Sequence, residues 1–468
     1  MSRKAAVSRA LRSYDNRLFH QQLARRIAIP TESQNPLSQG EMYRYLEGEI
    51  GPEFSELGYT WQIHENKLCQ RLPFLIARRP EAQGLPTVLT YGHADVVHGM
   101  TGWADGLSPW TLTERDGKLY GRGTADNKGQ HTICMLALRA VMEERGKLGF
   151  NSIFLMDTGE EVGSPGLYDL CQRERESLRA DVLIASDGPR LHPDRPMIYA
   201  GTRGCCNFAL EVRLRQDAHH SGNHGGLLAS ASLLLANAIS RIVDGRGVIR
   251  IAEWRNPPIP SDIRAALAEV PFDDREPPPD EVWGEPGLSP LERLVAWNSF
   301  EVLAITAGNP SAPVNAIPPT ATAHCSLRYT VDTSPDTIIP ALRRSLDDAG
   351  FQRVIIVPDE GGALATRLSP TDPWMKWAAG SVHASVGKKA VLLPNEGGTL
   401  PNDAFAITLG ARTLWIPHSY TGCSQHAPNE HLLAGVAREG LAIMAGLFWD
   451  VGAEGVPPYG ATSSKGGR

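Results

Sequence analysis

The sequence predicts an α/β protein. One domain carries a largely parallel sheet flanked by helices, and a second, smaller α+β domain has ferredoxin-like order. Three observations carry this reading. From Pro86 onward, short apolar runs alternate with segments of helical spacing. The polar residues of those runs gather at their C-terminal ends, where open α/β sheets carry their sites. After Gly204 the pattern becomes strand, helix, strand, strand, helix, strand.

The elements follow in order. The start, MSRKAAVSRALRSYDNRLFHQQLARRIAIP, is basic but lacks the apolar stretch of a secretory signal. Leu18, Leu23 and Ile27 recur at helical spacing, so the segment reads as the first helix. TVLTYGHADVV, NSIFLMDTGEE and DVLIASDG read as strands ending in polar residues, with HTICMLALRAVMEE a helix between the first two. CCNFALEVRLR alternates like a half-exposed strand, and ASASLLLANAISRIV is helical. A Pro-rich loop from Asn256 to Pro290 precedes strands FEVLAITAG and TATAHCSLRYTV, then helix ALRRSLDDAG and strand RVIIVP. Near Pro370 the chain returns to elements that complete the first domain. The expected division is 1–203 and 370–452 for the larger domain, 204–369 for the smaller, and a Gly-, Pro- and Ser-rich disordered tail over 453–468.

Composition removes several function classes. A chain of 468 residues has room for two or three domains, at ~100–200 residues each. With 42% hydrophobic and 21% charged residues it has the means for a large core. A net charge of −6 without a long basic stretch argues against nucleic acid as a partner. No apolar run approaches the ~18 residues of a membrane span, so no membrane role is expected. The seven cysteines are odd in number, scattered, and form no C-x-x-C pair. That pattern is neither a disulfide framework nor a thiolate metal site, and it fits a reducing, cytoplasmic setting.

The chemistry lies in acids and histidines at strand ends. There is no G-x-S-x-G elbow, no phosphate-binding G-x-x-x-x-G-K-[ST] loop and no H-E-x-x-H. His93 and Asp95 close YGHADVV, Asp126 lies in GRGTADNKG, and Glu160 and Glu161 close MDTGEE. Asp187 closes ASDG, and His426 lies in the late loop GCSQHAPNE. Each alone has an ordinary explanation. His93 could be a core histidine oriented by Asp95, the Glu pair a solvated surface, Asp126 a helix cap, and His426 a loop residue. Together, two imidazoles and several carboxylates suit a pair of divalent ions such as zinc, manganese or cobalt. Asp126, Glu161 and Asp187 with one hydroxide would neutralise two such ions, so the cluster could be buried.

In this order the motifs resemble the family-20 metallopeptidases, which include aminoacylases, carnosinase-like dipeptidases and glutamate carboxypeptidases. RRIAIPTES, YAGTRG, AHHSGNHGG, NAIPPTATAHCSLR and NEGGTLPN extend the resemblance from about Ala28 to Leu432. The resemblance implies a di-zinc catalytic domain with an inserted lid and dimerisation domain. His93 and Asp187 would hold one metal, Glu161 and His426 the other, and Asp126 would bridge them through a carboxylate next to a cis peptide bond to Asn127. Asp95 would fix the His93 tautomer, and Glu160 would be the general base. His220 would reach the partner subunit's site and stabilise an oxyanion, though His219 and His224 compete for that role. Arg328 would bind a substrate carboxylate, with Asn315, Gly397, Gly398 and Thr399 in the same pocket.

The implied substrate is a small carboxylate-bearing amide. Asp187, where many deacylases of the family have Glu, favours dipeptides, as does the likeness of the stretch from Trp254 to Leu303 to the carnosinase-like branch. An N-acyl- or N-carbamoyl-amino-acid amidohydrolase is the alternative. An inactive dimeric scaffold is disfavoured by the full set of ligands and base, and a serine hydrolase using Ser221 beside His220 lacks an elbow. The loop GGTLPND departs from the family's G-G-S-I-P, which leaves the side-chain pocket open.

Overall fold

The computed structural model describes residues 1–272, 277–359 and 361–459. Most of the expected tail, from Gly460 on, lies outside the described residues. The chain forms two compact units: residues 1–200, 368–394 and 401–468, and residues 201–367 with 395–400.

The first unit is built on an eight-stranded sheet. At its centre, strands Asn151–Asp157, Thr87–His93, Val182–Ala185 and Arg412–Trp415 lie side by side and parallel. Strands Phe74–Arg79 and Thr60–His64 extend one edge antiparallel, so the sheet is mixed outside its parallel centre. The central strands are buried nearly throughout, as expected of parallel strands covered on both faces. Helix Lys128–Arg145 is buried along most of its length and ends at Gly146, whose φ of 75° supplies the left-handed cap. It packs against helices Arg3–Asp15, Leu18–Ile27 and Ala434–Val451. The N-terminal segment is therefore two helices rather than one. The break falls at Arg17, which stands at φ 67°, and Leu18, Leu23 and Ile27 belong to the second helix.

The second unit has a four-stranded antiparallel sheet in the order Ser299–Ala307, Thr320–Tyr329, Gly204–Arg213, Val354–Pro358. This is the ferredoxin-like arrangement read from the sequence. Its core, with Phe208, Leu210, Leu235, Trp254, Phe300 and Leu342, includes helices Ala231–Ile242 and Pro335–Asp348. Because side chains alternate along strands, Cys205, Asn207, Ser299, Ser326 and Arg328 belong to the opposite face. The Pro-rich stretch is not all loop. Pro260 leads into helix Ser261–Ala268, and Ser289 caps helix Pro290–Val295 with a reciprocal capping box to Glu292.

All seven cysteines are free. Among the described residues no helix is long and apolar enough to cross a membrane.

Candidate active site

Three of the four parallel strands of the first unit, Asn151–Asp157, Thr87–His93 and Val182–Ala185, deliver their polar ends to one edge of the sheet. His93 is the last residue of its strand, and Asp187 lies two residues beyond strand Val182–Ala185. Asp126 sits just ahead of helix Lys128–Arg145, and the peptide bond from Asp126 to Asn127 is cis. Glu160 and Glu161 occupy a short 3₁₀ turn, Glu160–Val162, rather than the strand end read from the sequence. His426 comes from the late loop, at φ 57°.

Asp126 stands between two groups. Its Oδ1 lies 2.9 Å from His93 Nε2, which in turn lies 3.7 Å from Asp187 Oδ2. Its Oδ2 lies 3.2 Å from His426 Nε2, which lies 3.0 Å from Glu161 Oε2. His93, Asp126 and Glu161 offer ligand atoms within 4.8 Å of one another. Asp187 Oδ2 is buried and has no hydrogen-bond partner among the described residues. A buried carboxylate oxygen without a donor, aimed into a cluster of acids and imidazoles, is what a cation would complete.

The titration behaviour has the same cause. Burial and the neighbouring Asp126 push Glu161 up to about 7. Burial, opposed by His93 and aided by Asp126, pushes Asp187 up to about 6. Burial raises Glu160 well above the usual carboxylate range, with His93 opposing and Asp187, Glu161 and Asp126 adding to the rise. Hydrogen bonds to Asp126 and Glu161 raise His426 to about 11. The cluster holds more carboxylate than its two imidazoles can balance.

Asp95 contacts both His93 and the Glu160–Glu161 turn. His93 Nδ1 lies 3.1 Å from the Asp95 backbone oxygen and 3.4 Å from its carboxylate. The two carboxylate oxygens accept from the backbone N–H groups of Glu160 and Glu161, each at 3.1 Å. Asn127 also ties parts of the site together, because its Nδ2 donates to Ser186 O at 2.9 Å, next to Asp187.

The remaining sequence candidates lie in the second unit. Arg328 donates to Thr399 Oγ1, and Thr399 donates to Arg203 O at 3.1 Å. Arg203 in turn donates to Gly397 O at 2.8 Å. Gly398 N donates to the Glu396 carboxylate. Arg328, Gly397, Gly398 and Thr399 thus fall in one unit although far apart in sequence. His220 is exposed and accepts from Gly222 N at 3.0 Å through Nδ1. The His219 and His224 rings lie against each other with centroids 5.1 Å apart and planes tilted by 59°. Asn315 contributes its backbone oxygen to Ser221 N at 2.8 Å.

The sequence reading passed over Arg122 and Glu430, both 1% exposed. The available signal was their position inside the motifs GRGTAD and HAPNE, beside Asp126 and His426.

A sequence model of peptidase family M20/M25/M40 matches residues 89–450. The chain belongs to that family. Membership implies a hydrolase that depends on divalent metal ions, and the His93–Asp126–Glu161 group fits such a requirement. Within M20, the chain is 36% identical over 205 residues to mouse Beta-Ala-His dipeptidase, covering 43% of this chain and 41% of that protein. It is 28% identical over 337 residues to the cysteinylglycine-S-conjugate dipeptidase of Corynebacterium striatum, covering 68% and 70%. The matches to the mouse and rat Beta-Ala-His dipeptidases span 41% and 50% of those proteins, about half their length. The crystal structure of human carnosine dipeptidase 1 shares the M20 fold, with a TM-score of 0.77, 23% identity, and coverage of 95% of this chain and 99% of that one.

Proposed function

We propose that this chain is a metal-dependent dipeptidase that hydrolyses the amide bond of a small, carboxylate-bearing peptide. The observation that carries the reading is the division of Asp126 between a His93–Asp187 side and a His426–Glu161 side. That arrangement supports two ions per chain, one held by His93 and Asp187, the other by Glu161 and His426, with Asp126 shared. Two imidazoles and three carboxylates favour zinc, with manganese or cobalt as workable substitutes.

Ions bound there would supply Lewis acidity toward the scissile carbonyl and lower the pKa of a water toward neutrality. Glu160 takes the proton of that water and delivers it to the leaving amine. Asp95 holds the Glu160–Glu161 turn and the His93 ring in register.

In the second unit Arg328 serves as the receptor for the substrate carboxylate, its guanidinium matching that group's planar geometry. A cleft of about 650 Å³ in that unit is lined by Arg203, Ser326 and Arg328 together with Trp283 and Trp297. A few charged groups among large apolar side chains suit a small peptide-like ligand. His220 serves as an oxyanion donor to the site of a second copy.

The protein acts as a homodimer joined through the second unit. Strand Ser299–Ala307 is a sheet edge, and Leu303 and Ile305 are 65% and 57% exposed. An apolar edge strand of that length is a site for pairing with another chain.

The test is hydrolysis of a panel of free dipeptides and their N-acetylated counterparts by the metal-loaded protein. Cleavage confined to free dipeptides supports the reading. Cleavage confined to the N-acyl compounds would move the protein to the amidohydrolase branch.

A further inference from the structure

The buried pair Arg122–Glu430 joins the two chain segments that carry Asp126 and His426. Glu430 Oε1 accepts from Ala125 N at 2.9 Å and from Asp126 N at 3.0 Å. Its Oε2 accepts from Gly123 N at 3.0 Å and from the Arg122 guanidinium at 2.7 Å. One carboxylate therefore binds three backbone N–H groups within four successive residues, the last of them that of Asp126. Arg122 spends its other donors on His98 O and Ala427 O, each at 3.1 Å. Ala427 follows His426 directly in the chain. The Glu430 backbone oxygen also accepts from Gly121 N at 3.1 Å, which closes the connection from the other side.

The loop is shaped for this contact. Gly123 stands at φ 88°, and a Cβ there would meet Val96 Cγ1 at 2.9 Å and Lys128 Cδ at 3.0 Å. Only glycine offers its N–H to Glu430 in that conformation without a clash. Both charged side chains are 1% exposed, so neither is a solvated surface ion. Gln425 Nε2 adds a direct bond from the late loop to Asp126 Oδ2 at 3.1 Å.

We propose that Glu430, braced by Arg122, is a positioning residue for the metal centre. Glu430 sets the backbone from which the Asp126 carboxylate faces both His93 and His426, and Arg122 fixes the loop that presents His426. The two halves of the centre are thereby held to one buried carboxylate rather than to two independent loops. The inference rests on the reading of Asp126 and His426 as ligands, but it concerns residues that touch neither metal nor substrate. Partners behind metal ligands change affinity by about 10- to 100-fold when removed.

The experiment uses the full chain, stripped of metal. Zinc is titrated in competition with a chromophoric chelator, and thermal midpoints are measured with and without zinc. Three proteins are compared: wild type, Glu430→Gln and Arg122→Lys. Gln keeps the volume and one acceptor but cannot accept from both Gly123 and Arg122 while serving Ala125 and Asp126. The expected result for Glu430→Gln is zinc affinity weakened about 10- to 100-fold, with a thermal midpoint that drops more in the zinc-loaded form than in the stripped form. Arg122→Lys keeps the charge opposite Glu430 but cannot span His98 O and Ala427 O together. It is expected to weaken uptake of one zinc ion while leaving the other within about threefold of wild type.

If Glu430→Gln does not fold when stripped, Arg122→Lys decides the matter. Zinc affinities within twofold of wild type in the folded variants would overturn the inference, as would equal losses of thermal midpoint in stripped and loaded forms. Those results would make the pair purely structural while leaving the metal centre itself intact. Failure of wild type to bind zinc at all would instead overturn the underlying ligand assignment, and this inference with it.

Discussion

Asp95 accepts a hydrogen bond from the backbone N–H of Glu160 at 3.1 Å, and its second oxygen accepts from Glu161 at the same distance. The same residue faces His93 Nδ1 through its backbone and carboxylate oxygens. Asp95 therefore contacts the proposed base and two of the proposed metal ligands, Glu161 and His93, at once. Asp95→Asn retains one acceptor and places an NH₂ against a backbone N–H. It is expected to lower kcat by about 10- to 100-fold, with Asp95→Ala lower still. Steady-state kinetics at saturating metal checks this, and unchanged kcat in Asp95→Asn would mean that the carboxylate only fills space.

Arg328 donates to Thr399, which is itself held to the Arg203 backbone. An arginine fixed in this way presents its remaining donors in a set direction. Arg328→Met is expected to lower kcat/KM by about 10- to 100-fold for a free dipeptide, the worth of a hydrogen bond to a charged group. It should change little for the same dipeptide with an amidated C-terminus. Equal losses on both substrates would mean that Arg328 does not read the carboxylate.

Much of this site was legible because its chemistry sits at strand ends. His93, Glu160, Glu161 and Asp187 each follow a β-rich run within a few residues, so reading the strands located the acids. The break at Arg17 was not legible, since helical spacing on both sides gives no sign of a left-handed residue between them. Nor was the helix Ser261–Ala268, which lies in a stretch whose prolines read as loop. Arg122 and Glu430 were missed for a different reason. A buried ion pair 308 residues apart in sequence leaves no local periodicity, and each residue read as part of a neighbouring ligand's motif. The clustering of Asn395–Leu400 with the second unit also depends on long-range contacts that the sequence does not display.

His418 offers a test of the folded state that does not involve the metal centre. The ring is fully buried, neither nitrogen has a hydrogen-bond partner among the described residues, and Gly440 packs against it. Burial, aided by the nearby Arg190, holds its pKa well below 6.5. The native ring is neutral, while the unfolded chain takes up a proton below about pH 6.5. This contribution is therefore complete above that pH and is lost as pH falls below it, at about 1.4 kcal/mol per pH unit. His418→Phe should remove that slope, so the stability difference between variant and wild type, from urea unfolding, should shift in the variant's favour between pH 7 and pH 5. A difference that stays constant with pH would contradict the neutral, buried assignment.

The exposed strand edge predicts the oligomer. Leu303→Asp with Ile305→Asp places two charges at exposed positions of strand Ser299–Ala307. The double variant should elute as a monomer where wild type elutes as a dimer, and should lose most of its turnover if His220 acts across the pair. A dimer that survives the double substitution would place the interface elsewhere.

On the proposed function, Glu160 acts as the base beside a metal centre that it does not help to hold. The most direct measurement determines metal content and dipeptide turnover together, for wild type and Glu160→Gln. About two ions per chain are expected in both proteins, from the shared position of Asp126. Turnover is expected to be lower by about 10²- to 10⁴-fold in the variant. Metal content that falls along with turnover would contradict it by making Glu160 a ligand, and unchanged turnover with full metal would remove Glu160 from the reaction.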